Sequence, residues 1–174
     1  MGEPTSIALR RATAEDVPAL AALYGACARE IGPQVYSAAQ VAAWASFEHD
    51  DEAFARYVLE PETWVAIAGD GVPLGFAGAD EHGEIRSLYV RPGHGRRGLG
   101  GRLLQRVLLR CQERGLTRLQ AWVTPFSLPL LQRAGFEVIA TMQAPYQGVM
   151  FERYRVERVE RVDAAAPTPP PVPN

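Results

Sequence analysis

Between Val90 and Gly101 the chain reads Val-Arg-Pro-Gly-His-Gly-Arg-Arg-Gly-Leu-Gly-Gly. The residues before this run, Glu84 to Val90, are patterned as a strand, and those after it, Leu99 to Arg114, as a helix. A strand that runs into glycines and then into a helix exposes main-chain amides at the positive end of the helix dipole, which is chemistry for an anion such as a phosphate. Spacing separates the phosphate-binding arrangements of this kind. A Walker A loop ends in Gly-Lys-Ser/Thr, and the chain contains no lysine, so nucleoside triphosphate hydrolysis through such a loop is excluded. The dinucleotide fingerprint is matched literally by Gly93-His-Gly-Arg-Arg-Gly98, but it requires an acid at the end of the next strand to hold a ribose. Here the next strand ends Trp122-Val123-Thr124, the acid at the right distance, Glu113, lies in the last turn of the helix, and one crossover supplies only half of a dinucleotide site. An ordinary turn and helix start would need one or two glycines; Gly95, Gly98, Gly100 and Gly101, in register with the preceding Val-x-Pro, favour a cofactor loop.

The stretch Leu88-Tyr-Val-Arg-Pro92 followed by Arg97-Gly-Leu-Gly-Gly-Arg-Leu-Leu104 resembles the acyl-CoA motif of the GNAT superfamily of N-acetyltransferases, Gln/Arg-x-x-Gly-x-Gly/Ala after a strand ending in Val and Pro. Gly95 departs from that pattern, standing where Gln or Arg is usual; main-chain amides do most of the holding, so the change is tolerable. Tyr36-Ser-Ala-Ala-Gln-Val-Ala-Ala-Trp44, Gly75-Phe76, Leu88-Tyr-Val90 and Gly135-Phe136 are similar in order and spacing to a bacterial YafP-like branch of the superfamily. The resemblance runs from Ile7 to about Arg158. It implies the GNAT fold, an α+β domain with a mixed, mostly antiparallel sheet flanked by helices. The sheet splays between the strand of Ile85 to Val90 and that of Leu119 to Thr124 to admit a pantetheine arm.

The activity implied is transfer of an acetyl group from acetyl-CoA, as cosubstrate and without a metal, to a primary amine by direct attack. The expected partner is a small-molecule or peptide amine, with a homodimer as a candidate assembly. On this resemblance the amides of Arg97, Gly98, Leu99, Gly100 and Gly101 hold the pyrophosphate, beside Gly95 and with charge from Arg96 or Arg97. Of the arginines on the following helix, Arg102 is placed to meet a CoA phosphate, whereas Arg106, Arg110 and Arg114 read as a solvated face. Backbone groups of Leu88 and Val90 pair with pantetheine, and an amide of Tyr89 or Val90 polarises the thioester carbonyl. Thr124 stands where the family has Asn or Ser. The position of the common proton-donating Tyr, four before Gly135, is Leu131, which donates nothing; Tyr146 and Tyr154 are substitutes or structural tyrosines. A thiol leaving group with pKa near about 8.5 needs less help than an alkoxide. Glu84 is a base, directly or through water, or a hairpin charge. Tyr36 and Trp44, with Tyr89, line the acceptor's route or belong to the core, and His82 and His94 read as solvated turn residues. The leucine at 131 keeps open a second reading, a catalytically impaired acyl-CoA-binding module.

The surrounding elements follow from period and punctuation. Ser6 to Arg11 alternates as a strand; Thr13-Ala-Glu-Asp16 and Ser37-Ala-Ala-Gln40 are capping boxes opening helices, and Glu52 to Leu59 is a third. Thr63 to Ala68, Val72 to Ala79 and Glu84 to Val90 form an antiparallel meander, then come the helix Leu99 to Arg114, a strand Leu119 to Thr124, a short helix Pro125 to Ala134, and strands Phe136 to Met142 and Val149 to Val156.

At 174 residues, 47% hydrophobic and 22% charged, the chain suits one domain, expected over residues 1–160, with a proline-rich, disordered tail over 161–174. The net charge of -2 argues against a nucleic-acid-coating protein. It is unevenly spread: residues 1–85 hold fourteen acids against four arginines, which would suit a cationic acceptor or simply a solvated surface, and residues 86–118 hold nine arginines against Glu113. Cys27 and Cys111 are too few and too isolated for a disulfide framework or zinc site and read as buried thiols. No apolar run reaches membrane-spanning length and no cleavable leader is apparent, so a cytoplasmic protein without membrane attachment is expected.

Overall fold

In the computed structural model, residues 7–160 are described; the proline-rich tail and Ser6, expected in the first strand, lie outside them. After β1 (Ala8–Arg11), a 3-10 turn (Ala14–Asp16) runs straight into α1 (Val17–Ile31). The nearly buried Asp16 carboxylate organises this start. It accepts from the Thr13 amide at 2.8 Å and hydroxyl at 3.1 Å, and from both terminal nitrogens of Arg10 at 2.7 and 2.8 Å. Hydrogen bonding from Arg10 outweighs the opposing effect of burial and, with the Thr13 amide, lowers the Asp16 pKa from 3.8 to about 2. A carboxyl depressed by folding stabilises the protein fully above its unfolded pKa and loses that contribution as pH falls through the folded one. Asp16→Asn should therefore cost about 1–2 kcal/mol at neutral pH and flatten the loss of stability between about pH 4 and pH 2 in urea melts.

The second capping box forms reciprocally: Gln40 N donates to Ser37 Oγ at 3.3 Å and Ser37 N to Gln40 Oε1 at 2.9 Å, opening α2 (Ala38–Ala45). Gln40 Nε2 also donates to the Met150 carbonyl at 2.7 Å, fastening α2 to the distant last strand. In α3 (Asp51–Leu59) the cap is Asp50, which accepts from Ala53 N at 3.0 Å. The 3-10 turns Gly32–Gln34 and Ser46–His49 between these helices are too short to leave a periodic signal in sequence.

Then follow β2 (Glu62–Ile67), β3 (Pro73–Ala79), β4 (Glu84–Val90), α4 (Leu99–Glu113), β5 (Arg118–Val123), α5 (Leu128–Arg133), β6 (Glu137–Tyr146) and β7 (Val149–Val159). The seven-stranded sheet has the order β1-β2-β3-β4-β5-β7-β6, antiparallel throughout except for the pair β4–β5. The final hairpin runs past the expected ends at Met142 and Val156 and closes through Gln147 and Gly148, both at positive φ. Pro145 lies within β6, an edge strand, where a missing amide is tolerated.

Every residue of β3 is buried, because helices cover both faces. Phe76 packs with Leu20, Leu23, Phe54 and Val58 from α1 and α3, while Leu74 and Ala77 join Leu103, Leu104 and Val107 of α4. The expected solvated stripe on α4 is partly pinned instead, since the helix lies across β2 and β3. The Arg106 guanidinium sits 3.9 Å from the Trp64 ring centroid, and Arg110 Nε reaches Glu62 at 2.8 Å. Arg114 is exposed as expected.

Candidate functional site

The parallel pair β4–β5 is joined only at Glu84↔Gln120 and Ile85↔Ala121; beyond these residues the strands part. On the other edge of β4 a bulge falls at the same place: Ala79 pairs with Ile85 and Gly78 with Ser87, so Arg86 is skipped. The bulge reverses the facing of the strand. Ile85 packs into the α4-side core, whereas Tyr89 turns to the α1 side, with its ring centroid 4.9 Å from Tyr24 and 5.2 Å from Phe76. The Tyr57 hydroxyl donates to the Arg86 carbonyl at 2.9 Å and fastens the bulge.

A cleft of about 680 Å³ occupies the gap, lined by Leu88, Tyr89 and Val90 on one side and by Thr124, Leu130 and Leu131 on the other, with Gly95, Arg96 and Gly100 along it. Helix α4 begins at Gly98, left-handed at φ 77°, with no side-chain cap. Among the described residues, no amide from Gly95 to Gly101 donates to a protein acceptor. Such a run of unpartnered donors at a helix start fits a diphosphate. The flanking side chains divide. Arg96 lines the cleft, Arg97 is exposed, Leu99 is buried in the core, and Arg102 donates to the Ile7 carbonyl at 3.2 Å, away from the cleft lining. Leu99 can offer the expected anion contact through its main chain alone, while the exposed Arg97 guanidinium makes no ion pair among the described residues. The Val90 carbonyl already accepts from Cys27 Sγ at 3.2 Å, and burial pushes that thiol up to about 12, so it stays neutral.

A second cavity, of about 470 Å³, lies on the α1–α2 side and shares Trp44, Ile85, Arg86, Tyr89, Trp122, Val123 and Thr124 with the first. The two therefore meet at the splay. The second cavity gathers the remaining sequence candidates, Glu84, Tyr89, Thr124, Tyr146, Tyr36 and Trp44. The Glu84 carboxylate accepts from Arg155 Nη1 at 2.7 Å, and Arg155 also reaches Gln120. Thr124 Oγ1 is 3.4 Å from Ser127 Oγ. Burial and the neighbouring Tyr57 hydroxyl hold the Tyr89 phenol well above the usual tyrosine range. Tyr36 is 8% exposed, edge-on to Trp44, Phe126 and Phe151 at 5.8, 5.5 and 5.3 Å, and its buried hydroxyl has no partner. Leu131 is 1% exposed in the cleft wall, and Tyr154 bonds Glu152 outside both cavities. His82 is exposed as expected, but His94 is half-buried with an unpartnered Nδ1.

Sequence reasoning missed Tyr24, Tyr57, Arg86 and Arg153, all in the second cavity. Tyr24, Tyr57 and Arg153 lie far from the glycine loop in sequence and only the fold brings them to the site; Arg86 stands on β4, four residues before Val90, with no signal of its own. Both cysteines are buried as expected. Among the described residues, no helix is long and apolar enough to cross a membrane, and no group of three or more His, Cys, Asp or Glu is arranged to hold a metal ion.

The model of the acetyltransferase (GNAT) family matches residues 26–136. The uncharacterized N-acetyltransferase YafP of Escherichia coli K12 is 28% identical over 149 residues, which is 86% of this chain and 93% of the relative. Among solved structures, a GCN5-related N-acetyltransferase from Rhodopseudomonas palustris superposes with a TM-score of 0.83 at 25% identity, over 91% of this chain and 99% of that one. The PaiA N-acetyltransferase of Thermoplasma acidophilum, in complex with coenzyme A, shares the fold with a TM-score of 0.73 at 17% identity, over 88% of this chain and 99% of that one.

Proposed function

Because the chain belongs to the GNAT acetyltransferase family, we propose that it moves an acetyl group from acetyl-CoA to a primary amine, a small molecule or a peptide. The observation that carries this reading is the run of unpartnered amides, Gly95 to Gly101, at the mouth of a cleft that opens into a second cavity. The PaiA protein's complex with coenzyme A supports the same ligand here. Acetyl-CoA is a cytoplasmic metabolite, and the reading places the reaction there.

When bound, acetyl-CoA supplies a thioester, and attack by the amine forms the C–N bond, breaks the C–S bond and releases a proton and a thiol. The amides of Gly95 to Gly101, with Arg96, would hold the diphosphate, and the free edge of β4 would align the pantetheine arm. An amide of Tyr89 or Val90 would face the acyl oxygen. Glu84 is the carboxylate in the acceptor cavity and would take the ammonium proton directly or through water. The Tyr89 phenol, held protonated, can donate to a sulfur but cannot serve as the base; Thr124 at the junction and Tyr146 in the second cavity are the other donors. Glu84→Gln should lower kcat about 100-fold at neutral pH and leave acetyl-CoA affinity unchanged.

Leu131 favours a second reading, a module that binds acetyl-CoA without turnover. Thiol release measured over small amines, aminoglycosides, polyamines and peptides separates the two. Acceptor-dependent release supports the enzyme, whereas acetyl-CoA binding with no release on any acceptor supports the module.

A further inference from the structure

The charge inside the acceptor cavity is opposite to that of the acidic first half of the chain. Among the described residues Glu84 is the one acid in its lining, and its carboxylate accepts from Arg155 at 2.7 Å. Two guanidinium groups line the same space. Arg86 has a distant partner in Asp80 at 3.7 Å, and Arg153, half-buried, makes no ion pair among the described residues. Arg153 follows Phe151 by two on β7, so both face the aromatic cluster. Arg153, Tyr36 and Tyr57 reach the same cavity from three separate segments of the chain. A second unmet polar group lies in the same wall, the partnerless Tyr36 hydroxyl on a side chain more than nine-tenths buried. Most of the remaining wall is aromatic, with Tyr24, Trp44, Phe47, Tyr57 and Tyr89 on the helix side and β4.

We propose that the acceptor is an amine that also carries a carboxylate, with the size and flat apolar body of an aromatic α-amino acid, and that Arg153 is its carboxylate-binding residue. This rests on the acetyl-transfer reading and names its substrate class. A guanidinium and an unsatisfied hydroxyl in one cavity can together hold a carboxylate, the aromatic wall covers a ring of the acceptor, and the amine is left toward Thr124 and Tyr89, where the two cavities join. An acceptor with a second ammonium group would meet Arg86 and Arg153 with the Glu84 charge already neutralised.

The test compares L-phenylalanine with 2-phenylethylamine, which differ by the carboxylate alone. In acetyl-CoA-dependent thiol release, kcat/KM should favour phenylalanine by at least about tenfold. Arg153→Gln should bring that ratio to about one, and Arg153→Lys should restore part of it. A wild-type ratio at or below one, or a ratio that survives Arg153→Gln, overturns the proposal while leaving acetyl transfer intact. Calorimetry of N-acetyl-L-phenylalanine against N-(2-phenylethyl)acetamide, with and without CoA, reads the same discrimination without turnover. Equal affinities, or no binding of either, overturn the carboxylate site. Failure of the protein to bind acetyl-CoA overturns the acetyl-transfer reading instead.

Discussion

Glutamate in place of Gly98 is expected to weaken acetyl-CoA binding at least about 100-fold while the protein remains folded. Two effects combine. Gly98 sits at φ 77°, where an L side chain costs about 1–2 kcal/mol, a strain a protein of this size survives. A Cβ there meets nothing within 4 Å, so packing is undisturbed. The larger effect is electrostatic: a carboxylate placed beside the unpartnered amides of Gly95 to Gly101 competes for them and repels a diphosphate. Gly98→Ala separates the two contributions. It carries the strain without the charge and should lose about tenfold or less, as read by calorimetry, with thermal melts confirming the fold of both variants.

Gly75→Ala is expected to destabilise the sheet strongly and to weaken the cleft with it. Gly75 lies opposite Val90, and a Cβ there would stand 2.6 Å from the Tyr89 carbonyl oxygen, 3.3 Å from Val90 Cα and 3.0 Å from Leu103 Cδ1. Leu103 can shift, but the β4 backbone cannot yield without moving the strand that edges the cleft. Overpacking of this kind costs about 3 kcal/mol, or about 10 °C in Tm for a chain of this length. Because the strain falls on Tyr89 and Val90, acetyl-CoA affinity should drop with stability in this variant. In Asp16→Asn, which is remote from the cleft, stability alone should fall.

The glycine loop was legible because its chemistry is local: the strand end, the glycines and the helix start are consecutive, and each leaves its own mark. The capping boxes at Thr13 and Ser37 and the change from helical to alternating period were legible for the same reason. What escaped depends on long-range assembly. No residue type announces the bulge at Arg86, and strict alternation would put Ile85 and Tyr89 on one face, whereas they serve opposite cores. The arginines of α4 read as solvated because their partners, Trp64 and Glu62, lie on a strand some forty residues earlier. The acceptor cavity draws on α1, α2, α3, β4 and β7 at once, so Tyr36 and Trp44 were visible through the family resemblance while Tyr24, Tyr57 and Arg153 were not. Arg102 reads as a phosphate ligand from its place in the first turns of α4, yet its guanidinium is committed to the Ile7 carbonyl.

On the proposed function, the gap between β4 and β5, with the amides of Gly95 to Gly101 along it, holds acetyl-CoA. Calorimetric titration of the intact protein with acetyl-CoA, run beside S-acetylpantetheine, which lacks the diphosphate, tests it most directly. One saturable site is expected for acetyl-CoA, with affinity at least about 100-fold weaker for S-acetylpantetheine. A folded protein that gives no binding heat with acetyl-CoA at several temperatures, or that binds both equally, would contradict it.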